Sequence, residues 1–306
     1  MNRAVAKVSV DLFFFPAIYS YFPISNKTKI VLTIHDMIPA MFSESVFPNQ
    51  KLAFFWNLKE RAALWQADRI ITVSNYSKEQ IAIHRKINRS KIDTVSEAPG
   101  KEFEKLPPDP SVLAQYKIKT GEPYLLVVGG ISPHKNLRAL VKVFCRLKEI
   151  FPDLKLVLAG DYEKDSFFSD FQEITELAKN LRIVDHIVFT GYIPDLQLAQ
   201  LYSSATLFVF PSLQEGFGLP AVEAMACGAP IVASRAGSLP EIIGDAGEFF
   251  DPSDLQGMFD LIAELLRDEP RRSALAQKGL ERAKQFDWKM AAEQAIKIFE
   301  KMMHID

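Results

Sequence analysis

The sequence predicts an α/β protein built of two Rossmann-like domains, and three observations carry that prediction. The 306 residues, at about 150 per domain, make room for two domains. Short, nearly all-apolar runs alternate with segments of helical period, the pattern of a parallel sheet covered on both faces. A stretch dense in turn residues, Glu97-Ala98-Pro99-Gly100 followed by Leu106-Pro107-Pro108-Asp109-Pro110, splits this alternation in two. Residues 1–107 are therefore expected to form the first domain and 108–287 the second, with 288–306 as a final helix packing back on the first.

In the first domain, strands are expected at Asp11 to Phe15, Lys29 to Ile34, Arg69 to Val73 and Ile92 to Val95. Leu52, Phe55, Leu58, Ala62 and Trp65 recur at helical spacing between the second and third strands, and Ser77 to Arg85 reads as a shorter helix. After the linker, strands are expected at Tyr124 to Val128, Leu154 to Ala159, Ile187 to Thr190, Leu207 to Phe210 and Ile231 to Ser234. Leu137, Leu140, Val141, Phe144 and Leu147 form a helical stripe suited to pack on that sheet, and polar-rich helical segments run from Ser253 to Asp306. A doubly wound domain usually has about six strands. Only four precede the linker, so Met1 is expected to lie partway into the first domain, leaving it incomplete.

Hydrophobic residues make up 48% and charged residues 24%, which excludes disordered, collagen-like and low-complexity classes. A formal charge of −2 argues against a general nucleic-acid binder. The first 107 residues carry +5 and the remainder −7. Scattered solvated charge accounts for this, as does a basic half that faces a phosphate-bearing or membrane-surface partner. Cys145 and Cys227 are the only cysteines; they exclude a disulfide scaffold and a cysteine zinc cluster and point to a reducing compartment, the cytoplasm. No run approaches the roughly 18 apolar residues of a spanning helix. Arg3 and Lys7 precede Phe13-Phe14-Phe15 in the manner of a leader, but Asp11 interrupts the run and Pro16 ends it without a small-residue cleavage site. A buried strand is expected there instead.

The densest chemical signal is the string from Pro211 to Gly228, which directly follows a strand ending at Phe210. Ligands bind at such strand ends in open α/β sheets. Gly216 and Gly218 let the backbone approach a ligand, Pro220 suits the first helical position and Gly228 the stop. The N–H groups of Phe217, Gly218 and Leu219 would then face an anion such as a diphosphate, with the helix dipole adding to the attraction. Glu223, about one turn into the helix, would accept hydrogen bonds from ribose hydroxyls, and Glu215, on the loop, from a second polyol. Read singly, Glu215 is equally a turn cap and Glu223 a first-turn acid favoured by the dipole. Gly129-Gly130-Ile131-Ser132-Pro133-His134-Lys135-Asn136 lies between another strand and helix, where a lysine is also an ordinary surface charge. Thr33-Ile34-His35-Asp36 ends a strand of the first domain, and Ser74 follows another, where a serine commonly caps a helix.

Taken together, these strings resemble the retaining family 4 (group 1) glycosyltransferases of the GT-B fold, from about Asp11 to the end of the chain. Glu215 and Glu223 match the family's E-x7-E motif; Gly228 to Ser234, Gly237-Ser238-Leu239-Pro240-Glu241 and Phe249-Phe250-Asp251-Pro252 match its flanking pattern. The resemblance implies two Rossmann-like domains facing a cleft. It places Glu215 on the donor sugar, Glu223 on the nucleotide ribose, the loop from Gly216 through Leu219 on the phosphates, and the turn Gly191-Tyr192-Ile193 at the base. The pattern G-x-x-x-x-[KR]-K-[GN] places Gly129 and Gly130 at the donor, with Lys135 on its diphosphate and His134 as a helper. Where the family commonly has an arginine soon after the first glycine, this sequence has Gly130, so phosphate neutralisation rests on Lys135. His35 is implied to reach the reacting sugar, with Asp36 and Ser74 on the acceptor side.

The activity so implied is transfer of a sugar, with retention, from a nucleotide-diphosphate sugar to a glycan or lipid-linked acceptor, with Glu215, Lys135 and His35 as the catalytic residues. Front-face displacement is expected, because both carboxylates are assigned to donor binding. No Asp-x-Asp pair ends a strand and no His/Cys cluster is present, so neither metal nor cofactor is expected. His35-Asp36 and Lys135-Asn136 are most similar to members that build bacterial surface polysaccharides, often mannosyltransferases using a GDP-sugar. Such a role places the chain at the inner membrane surface as a peripheral protein. The alternative is a non-catalytic or partner-dependent nucleotide-sugar-binding subunit, with another polypeptide supplying the missing N-terminal region. An epimerase or phosphorylase on the same fold fits the motif less well.

Overall fold

A computed structural model describes residues 10–24, 28–162 and 169–303; Arg3 and Lys7 of the leader-like stretch lie outside them. The chain divides into two compact units, Met1–Glu97 with Asp287–Asp306, and Ala98–Phe286.

The first unit holds a parallel sheet of β1 (Leu12–Phe15), β2 (Lys29–Thr33), β3 (Arg69–Thr72) and β4 (Ile92–Thr94), in that order. Parallel neighbours need crossover connections. The helices Gln50–Gln66 and Asn75–Arg85 supply two of them, capped by Asn49 and Ser74, whose side chains accept from the amides of Leu52 and Ser77. Phe15, Ile30, Leu32, Ile70, Ile81 and Ile92 form the core with Ala63 and Ala67.

Helical spacing locates the helix Gln50–Gln66, but its large apolar residues do not face the sheet. Leu52, Phe55, Leu58 and Trp65 are 48, 54, 55 and 84% exposed. The inward face is Ala63, Ala67, the part-buried Trp56 and Glu60, whose charge is met by Arg85. Small side chains let the helix lie close to the sheet, and the bulky stripe is left outside. The C-terminal helix Trp288–Met303 belongs to this first unit, with the Phe299 ring 5.3 Å from that of Phe14.

The second unit holds β5 (Tyr124–Val128), β6 (Lys155–Ala159), β7 (Ile187–Gly191), β8 (Leu207–Phe210), β9 (Ile231–Ser234) and β10 (Gly247–Phe250). All pair in parallel, in the order β10-β9-β8-β5-β6-β7. This is the doubly wound order, and it reverses direction between β5 and β8, the place where the carboxyl ends of the strands open a crevice. The stripe Leu137, Leu140, Val141, Phe144 and Leu147 is buried as the periodicity requires. β10 escapes the sequence patterning because Glu248, paired with Arg271, interrupts its apolar run. Residues 98–107 join this unit, ahead of the expected boundary at 107. Phe103 packs edge-on against Tyr202, and the Leu106 amide donates to Ser203 Oγ at 3.0 Å. Among the described residues, no helix is long and apolar enough to cross a membrane.

Candidate active site

The two glycine-bearing strings emerge from β5 and β8, the strands on either side of the reversal in the second sheet. After β8 the chain enters the loop Pro211 to Gly218, in which Glu215 is 7% and Phe217 4% exposed. A neighbouring turn fixes the loop's path. Ser238 Oγ donates to the Phe217 carbonyl at 2.7 Å and to that of Glu215 at 3.3 Å, and the Ser238 amide donates to Glu215 O at 3.2 Å. Gly237 sits at φ +61°, where a Cβ would stand 2.5 Å from the Glu215 nitrogen, so only glycine lets the two segments meet. Gly218, at φ +98°, begins the helix Leu219–Ala226 without a capping side chain. Among the described residues, the amides of Phe217, Gly218 and Leu219 donate to no other group, as befits a helix start open to an anion.

After β5, Gly129 and Gly130 turn the chain into the short 3₁₀ helix Pro133–Lys135. The two loops lock together here, the Leu213 amide donating to the His134 carbonyl at 2.7 Å. Lys135 Nζ reaches Glu215 Oε1 at 2.7 Å and stands 5.4 Å from the centre of the Phe210 ring. Only 15% of the Lys135 and 9% of the Glu215 side chain is exposed, so each charge depends on the other. Burial, with the Lys135 charge beside it, pushes His134 down to about 4, which keeps its ring neutral; Ser132 Oγ lies 3.2 Å from its Nδ1.

Glu223 lies on the inner side of the helix Leu219–Ala226, its Oε2 accepting from the Tyr202 hydroxyl at 3.0 Å. Burial raises this carboxyl to about 7, with the Asp195 charge adding and the Tyr202 bond opposing. The turn Gly191-Tyr192-Ile193 follows β7, with Ile193 buried and the Tyr192 ring 72% exposed. The second unit thus gathers Lys135, Glu215 and the open amides of residues 217 to 219 at the strand reversal. Glu223 sits on the helix that follows, and Tyr192 at the end of the edge strand.

His35, Asp36 and Ser74 lie in the first unit. His35 Nδ1 is 3.2 Å from Glu97 Oε1 and Nε2 is 3.1 Å from the Pro16 carbonyl. Both partners only accept, so the doubly protonated ring fits best, and the Glu97 hydrogen bond raises the His35 pKa against the opposing effect of burial. Asp36 Oδ1 accepts from the Ile38 amide at 2.8 Å. Ser74 is buried as the helix cap, its Oγ accepting from the Ser77 amide at 3.0 Å.

Tyr202 and Ser238 are site residues that motif reading gives no role. Tyr202 reads as one more apolar position on a helix, and Ser238 as part of a pattern whose loop contact is invisible in sequence. Among the described residues, no three His, Cys, Asp or Glu side chains converge as metal ligands.

The sequence profile described as Glycosyl transferases group 1 matches residues 110–282, and that described as Glycosyltransferase Family 4 matches residues 1–97. The chain is 32% identical over 278 residues to O-antigen chain mannosyltransferase B of Escherichia coli, covering 89% of this chain and 70% of that protein. It is 30% identical over 279 residues to the serotype-specific mannosyltransferase WbdA of Escherichia coli, covering 90% of this chain and 34% of that protein. The chain therefore spans about a third of WbdA. Sucrose-phosphate synthase from Thermosynechococcus elongatus shares the fold, with a TM-score of 0.79 at 23% identity over 99% of this chain and 76% of that one. The two parallel sheets are accordingly those of the GT-B class. On the profile match and the relative covered to 70%, the chain belongs to the glycosyl transferases group 1 family.

Proposed function

We propose that the chain transfers a hexosyl group, mannosyl by the names of its relatives, from a nucleotide-diphosphate sugar to a glycan or lipid-linked acceptor. The observation that carries this reading is the Lys135–Glu215 pair at 2.7 Å, set at the strand reversal beside the open amides of Phe217 to Leu219. A diphosphate in this position meets the Lys135 ammonium and the helix N-terminus, while sugar hydroxyls meet the Glu215 carboxylate. The nucleotide ribose reaches Glu223, and the base lies over the Tyr192 turn.

Chemistry on this arrangement is a front-face displacement with retention. The bond from the anomeric carbon to the diphosphate oxygen breaks as the acceptor oxygen bonds to the same face. The acceptor's proton passes to the departing diphosphate, and Lys135 and the loop amides stabilise the charge that develops there. No step calls for a metal or a cofactor. For His35 to reach a sugar, one of its bonds to Glu97 or Pro16 has to be exchanged.

The test is turnover of GDP-mannose, UDP-glucose and other nucleotide sugars by wild-type protein and by Glu215→Gln, which keeps the shape of the side chain. The variant is expected to stay folded, to melt at a lower temperature because Lys135 loses its buried counter-charge, and to lose about 10²–10³ in turnover, and NMR of the wild-type product to show the donor's anomeric configuration. Near-normal turnover in Glu215→Gln would sink the site assignment. Nucleotide-sugar binding with neither transfer nor donor hydrolysis would instead assign the partner-dependent role.

A further inference from the structure

The carboxyl ends of the four strands of the first sheet carry a polar cluster of their own. Pro16 follows β1, His35 follows β2, Ser74 follows β3 and Glu97 follows β4, at the end of the sheet where ligands bind in open α/β folds. His35 joins two of these groups. Glu97 Oε1, brought from two strands away and 62 residues along the chain, lies 3.2 Å from Nδ1, and the Pro16 carbonyl lies 3.1 Å from Nε2. The carboxylate is a charged acceptor and the carbonyl a neutral one, so the bond to Glu97 is the stronger. At 45% exposure the His35 side chain is open to a substrate, while Glu97, at 24%, is the more enclosed partner. A substrate oxygen that reaches the ring therefore replaces Pro16 and leaves Nδ1 on Glu97.

The charges around the ring favour a proton on both nitrogens. The hydrogen bond to Glu97 raises the His35 pKa most and burial opposes it; the Glu97 charge, the Pro16 carbonyl and the Asp36 charge add to the rise. β3 runs on into Val73 and Ser74, neither of them charged, and no cation is among the groups that act on the ring. A ring protonated at both nitrogens has no lone pair to accept a proton. Beside an anomeric carbon it would oppose the positive charge that develops there, so the atom it serves is an oxygen.

We propose that Glu97 is a positioning residue for the transfer reaction: it holds His35 doubly protonated through Nδ1, so that Nε2–H, once it leaves the Pro16 carbonyl, is a fixed donor to a substrate oxygen and His35 does not act as the base that deprotonates the acceptor. The inference rests on the transfer reading above and adds the residue that sets the charge of His35. Histidine-labelled nitrogen NMR, with His35→Asn to assign the resonance, is paired with kcat at saturating donor across the neutral pH range. Wild type, Glu97→Gln and Glu97→Asp are compared.

The His35 midpoint should lie above the ordinary histidine value in wild type, fall in Glu97→Gln, and be held up in Glu97→Asp, which keeps the charge. Wild-type kcat should fall as pH rises through the His35 midpoint, and in Glu97→Gln that fall should shift to lower pH with the midpoint. A purely structural ion pair would lower the melting temperature without tying kcat to the His35 titration. An unchanged midpoint in Glu97→Gln overturns the proposal, as does a kcat that rises through the midpoint, the mark of a base, or a profile that is the same in all three proteins. Absence of turnover in wild type overturns it too. Near-normal turnover in Glu215→Gln fails the donor-site reading alone, since the His35 midpoint and profile are read without that variant.

Discussion

Glu223 is the residue whose charge state bears most directly on the proposed site. Its folded pKa is raised from the ordinary 4.5 to about 7, so between those values the folded protein holds a proton that the unfolded chain has released. Stability from this group is accordingly greatest below about pH 4.5 and declines as pH rises through 7, because the unfolded state then binds fewer protons. Under the proposed donor placement, donor affinity runs the opposite way, since an ionised Glu223 carboxylate would accept from the ribose hydroxyls. Nucleotide-sugar affinity measured from pH 6 to 8 is expected to rise with a midpoint near 7 and to lose that dependence in Glu223→Gln. Tyr202→Phe removes the bond that holds the pKa down, so its midpoint should move upward. A dependence in Glu223→Gln identical to wild type would show that another group titrates. Glu223 itself was legible in the sequence from its place in a motif. Its partner was not, because Tyr202 is 21 residues away and only folding brings the phenol to the carboxylate.

At the scale of elements, apolar strands were the most legible part of the chain. β5, β8 and β9 are buried along their whole length; β5 and β8 read as unbroken hydrophobic runs, and β9 departs from one only at its last residue, Ser234. β10 is buried at its two ends and half-buried between them, and its four residues are too few to establish a period. The helix Gln50–Gln66 exposes a different limit: a 3.6-residue period locates a helix but does not say which of two apolar faces turns inward. Loop contacts are less legible still, as the turn that carries Gly237 demonstrates. Gly237→Ala forces a left-handed backbone on alanine and drives a Cβ against the Glu215 nitrogen. The expected cost is about 1–3 kcal/mol of stability, read as a lower melting temperature, together with loss of the thermal shift given by a nucleotide sugar. A variant that keeps both would show that the turn does not set the position of Glu215.

For the whole molecule, alternation and the turn-rich linker announced two α/β units, and contacts moved the division to Glu97/Ala98 because Phe103 and Leu106 are held by the second unit. The order of strands in that unit governs when its site comes into being. β5 and β8 are neighbours in the sheet, yet the two side chains that meet across them, Lys135 and Glu215, are 80 residues apart in the chain. Everything between, including β6 and β7 and their crossover helices, must be threaded before the lysine finds its carboxylate. Closing a loop of that length carries a high entropic cost, and the Lys135–Glu215 contact is expected to form after the rate-limiting barrier. A nucleotide sugar added during refolding should therefore leave the refolding rate unchanged and slow unfolding in proportion to its saturation, measurable by stopped-flow fluorescence. Faster refolding with ligand would mean that the site is already built at the barrier. On that expectation, the binding chemistry is the last thing this unit acquires as it folds.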